Sequence, residues 1–348
     1  MTRTDAVLLV TRSDDNDSVE RVAHALRRRG RAPVRLDTDR YPTEITLATS
    51  LASRAAAPGR HVPASVTRTL TTADGTFDLE RVTAVWYRRF HAGAALPQDL
   101  DDLRPACVEE ARRTLFGMIA ALPCPHVDTL ESVRRCDHKE LQLVRARALG
   151  LDVPDTLFTN DPAAARAFFE AHNGNVITKM QSSFAVQRDG LEHVVFTNTV
   201  EDHHLDDIDG LRFCPMTFQE HIEKRLELRA TVVGDRVLCA SVDSQVREDT
   251  RIDWRKDGRG LLHAWSKYAL PRDVERNLLD LVHEIGLRFG ACDLIVTPSG
   301  RHVFLEVNAG GEWFWLDDLL GIADALAGEL TVPGSRARRR TGERTGAG

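Results

Sequence analysis

The sequence lacks several features that mark common classes of protein. None of its six cysteines forms a CxxC pair, so a zinc knuckle or a disulfide framework is not expected and a reducing cytosol is the default compartment. No apolar run approaches the roughly 20 residues that a membrane span needs, and no signal-peptide pattern opens the chain. A GxxxxGK(S/T) motif is also missing, which excludes a P-loop.

Charge and size narrow the remaining classes. The net charge of -6 gives no general attraction to nucleic acid or to an anionic membrane, so neither is an expected partner. The hydrophobic fraction of 42% and the charged fraction of 28% are typical of a globular protein. A chain of 348 residues is too long for one ordinary core, which predicts two or three domains.

The N-terminal part of the chain has an α/β pattern. The run "DAVLLV" predicts a buried strand, "DSVERVAHALRRRG" an amphipathic helix, and "APVRLD" a second strand. Such a βαβ unit implies a parallel sheet, and prolines at 123 and 125 indicate a domain boundary. Beyond it, "SVRRCDHKELQLVRARALG" predicts one helix that begins near Ser132 and ends at Gly150.

A predicted hairpin near the C-terminus carries polar side chains in apolar strands. Pairing Thr297 with His302 places Asp293 opposite Glu306, and Asn308 shares the face of Glu306 because strand side chains alternate. Two opposed carboxylates repel each other unless a cation lies between them. Their oxygen ligands suit Mg²⁺ or Mn²⁺. A Mg²⁺ ion held by so few protein groups takes its remaining ligands from water and phosphates, which indicates a nucleotide. The alternative is that Glu306 and Asn308 only end a strand and cap the next turn.

Two lysines are candidates for binding phosphate. Lys179 lies inside the predicted strand "NVITKM", where lysine is normally avoided, and a polar loop that could close over phosphates follows it. Lys139 lies in the predicted helix, where it could instead be an ordinary solvated residue.

The segment "FQEHIEKRLELR" predicts a strand that leaves one lobe and enters another. Its backbone groups could pair with an adenine edge, and Glu227 could reach a ribose hydroxyl. Glu227 could equally be an exposed strand carboxylate beside Arg229. The later run "EWFWLDD" is either a substrate-facing aromatic wall or packing for the last helix.

Taken in their order along the chain, these elements resemble those of the ATP-grasp superfamily, in which two lobes hold Mg-ATP between them. Three segments, "LRATVVGDRVLCASVDSQ", "DWR" and "EVNAGGEWFWL", are most similar to the ATP-grasp maturases of ribosomal peptides, the RimK-related graspetide or microviridin-type synthetases. The resemblance implies an ATP-grasp fold with α/β and α+β parts. These are a pre-ATP-grasp domain over 1–125, a central lobe over 126–215, a C-terminal lobe over 216–330 and a disordered tail over 331–348.

The resemblance also implies roles for single residues. Phosphate binding is implied for Lys139 and Lys179, ribose binding for Glu227, and Mg²⁺ (or Mn²⁺) binding for Asp293, Glu306 and Asn308. The adenine hinge is implied to be Gln219, Glu220, His221 and Ile222. Catalytic contact with the γ-phosphate or the substrate carboxylate is implied for Arg229 and Arg255.

The implied reaction converts Asp or Glu side chains of a precursor peptide to acyl phosphates and closes esters with Ser/Thr or amides with Lys. The precursor would have a leader and a core, and the polar segment 244–258 is a candidate leader-docking site or a solvated loop. Because members of this family are often oligomeric, the resemblance implies a homodimer. Two alternatives remain: a ligase for a small molecule or protein tail, like glutathione synthetase or RimK, and a non-catalytic nucleotide-binding regulator.

Overall fold

The computed structural model of the chain describes residues 5–52, 65–181, 185–188, 191–194, 197–246 and 258–332. Contacts divide the chain into two units, 1–130 with 323–348 and 131–322. No helix within the described ranges is long and apolar enough to cross a bilayer. The predicted disordered tail lies outside these ranges from residue 333 onward.

The first unit contains the predicted parallel sheet. Its strand order is β2-β1-β6-β7, and every neighbouring pair is parallel. The strands are β1 (Ala6–Thr11), β2 (Ala32–Asp37), β6 (Val82–Tyr87) and β7 (His126–Val127). Helix α1 (Ser18–Arg28) joins the first two and buries its apolar stripe, as its 3.6-residue periodicity requires. The predicted βαβ unit is confirmed.

A separate antiparallel sheet completes the strands of this unit. It has the order β3-β4-β5 and consists of β3 (Thr46–Ala52), β4 (Ser65–Thr72) and β5 (Gly75–Asp78). Besides α1, the described helices of the unit are α2 (Arg104–Ala120) and, from the C-terminal part of the chain, α10 (Ile322–Glu329).

Two helices stand where the sequence predicts one. Helix α3 (Leu130–Cys136) ends before α4 (Lys139–Ala148) begins, so the single helix expected from Ser132 to Gly150 is wrong. The chain breaks because His138 is extended, with φ of -79° and ψ of 91°. The break makes Lys139 the first residue of α4.

The central sheet of the second unit has the order β12-β9-β13-β8. Its strands are β8 (Thr156–Thr159), β9 (Val176–Lys179), β12 (Asn198–Thr199) and β13 (Met216–Glu220). Helices α5 (Pro162–Ala171) and α6 (Asp202–Asp206) accompany it, and a cluster that includes Ala165, Val176 and Phe218 forms its core. Strands β10 (Ala185–Arg188) and β11 (Leu191–Val194) form a separate hairpin.

The second sheet of this unit is antiparallel, with the order β16-β15-β14-β17-β18. Its strands are β14 (Leu226–Val233), β15 (Arg236–Val242), β16 (Ser266–Lys267), β17 (Phe289–Val296) and β18 (His302–Asn308). The remaining helices are α7 (Gly258–Leu261), α8 (Arg272–Ile285) and α9 (Asp317–Leu320). Apolar side chains of α4 and α8 pack against one face of the sheet in a single buried core.

The β17–β18 hairpin contains a β-bulge. Near the turn Val296 pairs with His302, one residue out of the predicted register in which Thr297 faces that histidine. Between Asp293 and Leu294 the register shifts by one, because a bulge places an extra residue on one strand. Asp293 therefore does face Glu306, as the sequence predicts.

Candidate active site

The hairpin brings two carboxylates and one amide together on a single face of the sheet. Asp293 lies opposite Glu306, and Asn308 lies opposite Ala291 on the same strand as Glu306. Asn308 Nδ2 lies 3.1 Å from Glu306 Oε1 and 3.4 Å from Asp293 Oδ2. Asn308 is thus within hydrogen-bonding distance of both carboxylates, and all three predicted metal ligands offer the oxygen atoms that Mg²⁺ or Mn²⁺ prefers.

Lys139 reaches this set from the start of α4. Its Nζ is 2.9 Å from Glu306 Oε2 and donates to Asn308 Oδ1 at 2.9 Å. Burial alone would raise the pKa of Glu306. The charges of Lys139 and Lys179, with hydrogen bonds from Asn308 and Lys139, instead lower that pKa to about 2. Glu306 is therefore a carboxylate at neutral pH, and Lys139 is not a solvated helix residue.

Lys179 ends strand β9 and pairs in register with Thr217 of β13. Its charge contributes to the low pKa of Glu306, the carboxylate that Lys139 also contacts. The two lysines come from different elements, yet both direct positive charge at one carboxylate.

Arg229 completes the charged arrangement from strand β14. It lies opposite Asp293, and its guanidinium donates to Asp293 Oδ1 at 2.6 Å and to the Glu312 carbonyl at 2.8 Å. Gly311 allows this approach, because a Cβ added there would lie 2.8 Å from the guanidinium and 2.5 Å from the Ala291 Cβ. The glycine pair after Asn308 was visible in the sequence, but its contact with Arg229 was not predicted.

Of the four predicted hinge residues, Gln219 and Glu220 end strand β13, and His221 and Ile222 follow it. Gln219 is buried, and its amide donates to Thr156 Oγ1 at 2.9 Å. The Glu220 N–H donates to the Asp155 carbonyl at 2.9 Å, and the His221 N–H to the Asn175 carbonyl at 2.8 Å. The ladder then ends, and among the described residues the Ile222 N–H donates to no backbone oxygen.

Glu227 lies on the same face of β14 as Arg229, two residues away. Its Oε1 accepts from Lys224 Nζ at 2.8 Å, and its side chain is only 13% exposed. The alternative prediction of an exposed strand carboxylate is therefore wrong. Sequence reasoning missed Lys224, the cation that faces Glu227.

Three further sequence predictions concern Arg255, the segment 244–258 and the aromatic run. Arg255 lies outside the described residues, as does most of the candidate leader-docking segment 244–258. In the aromatic run, Trp313 is fully buried, and Trp315 packs against Trp265 with ring centroids 6.2 Å apart. Trp313 is thus a packing residue.

Known proteins with a similar fold include several ATP-grasp ligases. The family model of the MvdD pre-ATP grasp domain matches residues 6–134. The chain is similar to a Chryseobacterium gregarium RiPP-associated ATP-grasp ligase solved with ADP and a leader and core peptide, at 37% identity, 94% coverage of this chain, 96% of that chain and a TM-score of 0.86. No curated protein in the comparison matches.

Two macrocyclases of Microcystis aeruginosa MRC are also similar. MdnC, solved with the precursor peptide MdnA, is 40% identical, with 94% of this chain and 99% of that chain covered and a TM-score of 0.81. MdnB is 34% identical with the same coverages and a TM-score of 0.77. The chain therefore belongs to the family of RiPP-associated ATP-grasp ligases. The predicted fold class, an ATP-grasp fold with an N-terminal pre-ATP-grasp domain, is confirmed.

Proposed function

We propose that this protein is an ATP-dependent ligase that crosslinks side chains of a ribosomally made precursor peptide. The observation that carries the proposal is the set of Asp293, Glu306 and Asn308, surrounded by Lys139, Lys179 and Arg229. A similar relative was solved with ADP and a leader and core peptide, and MdnC with a precursor peptide. The same class of substrate is assigned to this chain.

The nucleotide spans the hinge and the charged set. The adenine lies against Gln219, Glu220, His221 and Ile222, with the Ile222 N–H available as a donor. Glu227 binds the ribose hydroxyls, and the two lysines bind the phosphates. The oxygens of Asp293, Glu306 and Asn308 would hold Mg²⁺, or Mn²⁺ in its place, and the ion supplies a Lewis acid for phosphoryl transfer.

The chemistry follows from the positioning of charge. An Asp or Glu side-chain carboxylate of the core attacks the γ-phosphorus, ADP leaves, and an acyl phosphate forms. A Ser or Thr hydroxyl, or a Lys amine, then attacks the acyl carbon and releases phosphate, giving an ester or an amide. Arg229 and Arg255 orient the carboxylate or the γ-phosphate, since a guanidinium forms two parallel hydrogen bonds with such groups.

Three further features complete the proposal. The precursor has a leader that docks away from the chemistry and a core rich in Asp/Glu with Ser/Thr or Lys. The enzyme acts as a homodimer. All six cysteines are free thiols, which fits work in the reducing cytosol.

Intact-mass spectrometry tests the function. The protein, ATP and Mg²⁺ are incubated with the Asp/Glu-rich peptide encoded beside its gene, and the peptide should lose one water mass per ring. Mild base should then open esters but leave amides intact. Glu306→Gln should abolish both the mass change and the peptide-stimulated release of ADP.

The same experiment separates the alternatives. Turnover of ATP with small amino acids, without any change in peptide mass, would replace the proposal with a small-molecule ligase. Absence of hydrolysis with every substrate would favour a nucleotide-binding regulator. The complete set of three oxygen ligands argues for catalysis over regulation.

A further inference from the structure

Gln142 is a fully buried polar residue on helix α4. Its Oε1 accepts from the Val307 N–H at 2.9 Å, and its Nε2 donates to the Val307 carbonyl at 2.8 Å. The same Nε2 also donates to the Cys136 carbonyl at the end of α3. One side-chain amide therefore satisfies both backbone groups of a residue 165 positions away and ties the two helices to the strand.

Val307 lies between the ligand positions Glu306 and Asn308 on β18, the last strand of its sheet. In an antiparallel ladder, the backbone groups of alternate residues point away from the neighbouring strand. On the outer side of β18, the Phe304 N–H donates to the Asp152 carbonyl at 2.8 Å. At Val307, the amide of Gln142 takes the place that a further strand would fill.

Lys139 is on the same helix, three residues before Gln142, and so lies one turn away on the same face. Its Nζ lies 3.4 Å from the Val307 carbonyl, in addition to its 2.9 Å contacts with Glu306 and Asn308. A single helical turn thus carries both the cation that faces the ligand pair and the amide that holds the backbone between them.

We propose that Gln142 is a positioning residue for the nucleotide and metal site. It fixes the register of α4 against β18, so that the ammonium group of Lys139 and the oxygens of Glu306 and Asn308 meet at a set distance. The inference rests on the proposed function. To that function the inference adds a residue that touches neither nucleotide nor metal and acts through the metal ligands and Lys139.

Gln142→Met is the test, because it keeps the approximate volume and removes the amide donors and the amide acceptor. Leu143→Ala is the matched control: it lies next along the same helix, is buried in the apolar core and has no polar group. Affinity for MgADP is measured by titration calorimetry and the thermal midpoint by scanning calorimetry. Gln142→Met should weaken MgADP binding by about tenfold or more, whereas the control should change it by less than about threefold.

Turnover gives a second readout that a merely structural role would not produce. The KM for ATP should rise in Gln142→Met while the affinity for precursor peptide stays as in the wild type. Should that variant not fold, Gln142→Glu replaces it, because a carboxylate keeps the acceptor for the Val307 N–H and loses the donors. It should weaken MgADP binding in the same direction.

Three results would overturn the inference, and one lies outside it. Unchanged MgADP affinity in the Gln142 variants would refute it. So would equal losses of affinity in Gln142→Met and Leu143→Ala at matched thermal midpoints, and so would a parallel loss of peptide affinity. A wild type that binds no MgADP would instead refute the proposed function itself.

Discussion

Replacing Gly311 with alanine should disturb the active site through Arg229. The added Cβ would lie 2.5 Å from the Ala291 Cβ and 2.8 Å from the Arg229 guanidinium, and real Cβ atoms are not found so close to other heavy atoms. Ala291 belongs to strand β17 and cannot rotate away, so the loop after Asn308 must move. That movement removes the 2.8 Å hydrogen bond from Arg229 to the Glu312 carbonyl.

The expected magnitude follows from that lost bond. A hydrogen bond from a charged donor contributes about 1.5–3 kcal/mol. Since 1.4 kcal/mol corresponds to a factor of ten, the rate of ring closure in Gly311→Ala should fall about 10- to 150-fold if Arg229 orients the reacting groups. The free energy of unfolding should fall by about 1–3 kcal/mol from overpacking.

Single-turnover ring closure, followed by mass, measures the effect at saturating ATP. Gly117→Ala is the control, because an added Cβ there meets nothing within 4 Å and Gly117 lies inside helix α2. A rate in Gly311→Ala within about twofold of that control would refute the reasoning, since the steric conflict would then have no effect on Arg229.

Three other outcomes are expected. Burial opposes ionisation of Glu306, but the lysines lower its pKa from 4.5 to about 2. Its contribution to the free energy of unfolding is therefore full above pH 4.5 and is lost as the pH falls to about 2. In acid titrations, the free energies of unfolding of wild type and Glu306→Gln should converge across that window. Glu227→Gln removes the carboxylate that faces the ammonium of Lys224 and should lower the free energy of unfolding by about 3 kcal/mol. Adding Lys224→Met should restore part of that loss, as measured by urea titration. At mildly alkaline pH, iodoacetamide should label exposed Cys214 before Cys239, because burial raises the pKa of Cys239 to about 12.

Each of these outcomes can fail in its own way. A constant difference between wild type and Glu306→Gln across the acid range would show that the pKa of Glu306 is not lowered by folding. A double variant no more stable than Glu227→Gln alone would show that the two charges are not coupled. Early labelling of Cys239 would show that its thiol is open to solvent.

Local patterns in the sequence predicted those parts of the fold that depend on side-chain period. The alternation along β17 and β18 placed Asp293 opposite Glu306, and the first βαβ unit follows from a helical period between two apolar runs. These predictions succeed because burial on one face selects residue type locally. The residues themselves made the two lysines and the hinge segment candidates, and the resemblance to the family implied their roles, which do not follow from periodicity.

Long-range contacts explain what the sequence did not predict. The bulge near Asp293 leaves no mark in the alternation of residues, so the register at the turn was wrong by one. The hydrogen bonds of Gln142 are made with the backbone of Val307, far along the chain. A buried glutamine in an otherwise amphipathic helix was the available signal, because buried amides require partners.

The bulge also divides the hairpin into two halves that differ in register by one residue. Because Leu305 is the extra residue between the pairs Leu294–Phe304 and Asp293–Glu306, it sets which face the last part of β18 presents. If the register near the turn continued without a bulge, Leu305 would lie opposite Asp293 and Glu306 opposite Cys292, so the acid would face away from its partner although no ligand had been altered. In any redesign of this scaffold, the number of residues at 293–294 and 304–306 must therefore be kept. Insertions belong in the turn at 297–301, which lies on the other side of the register shift.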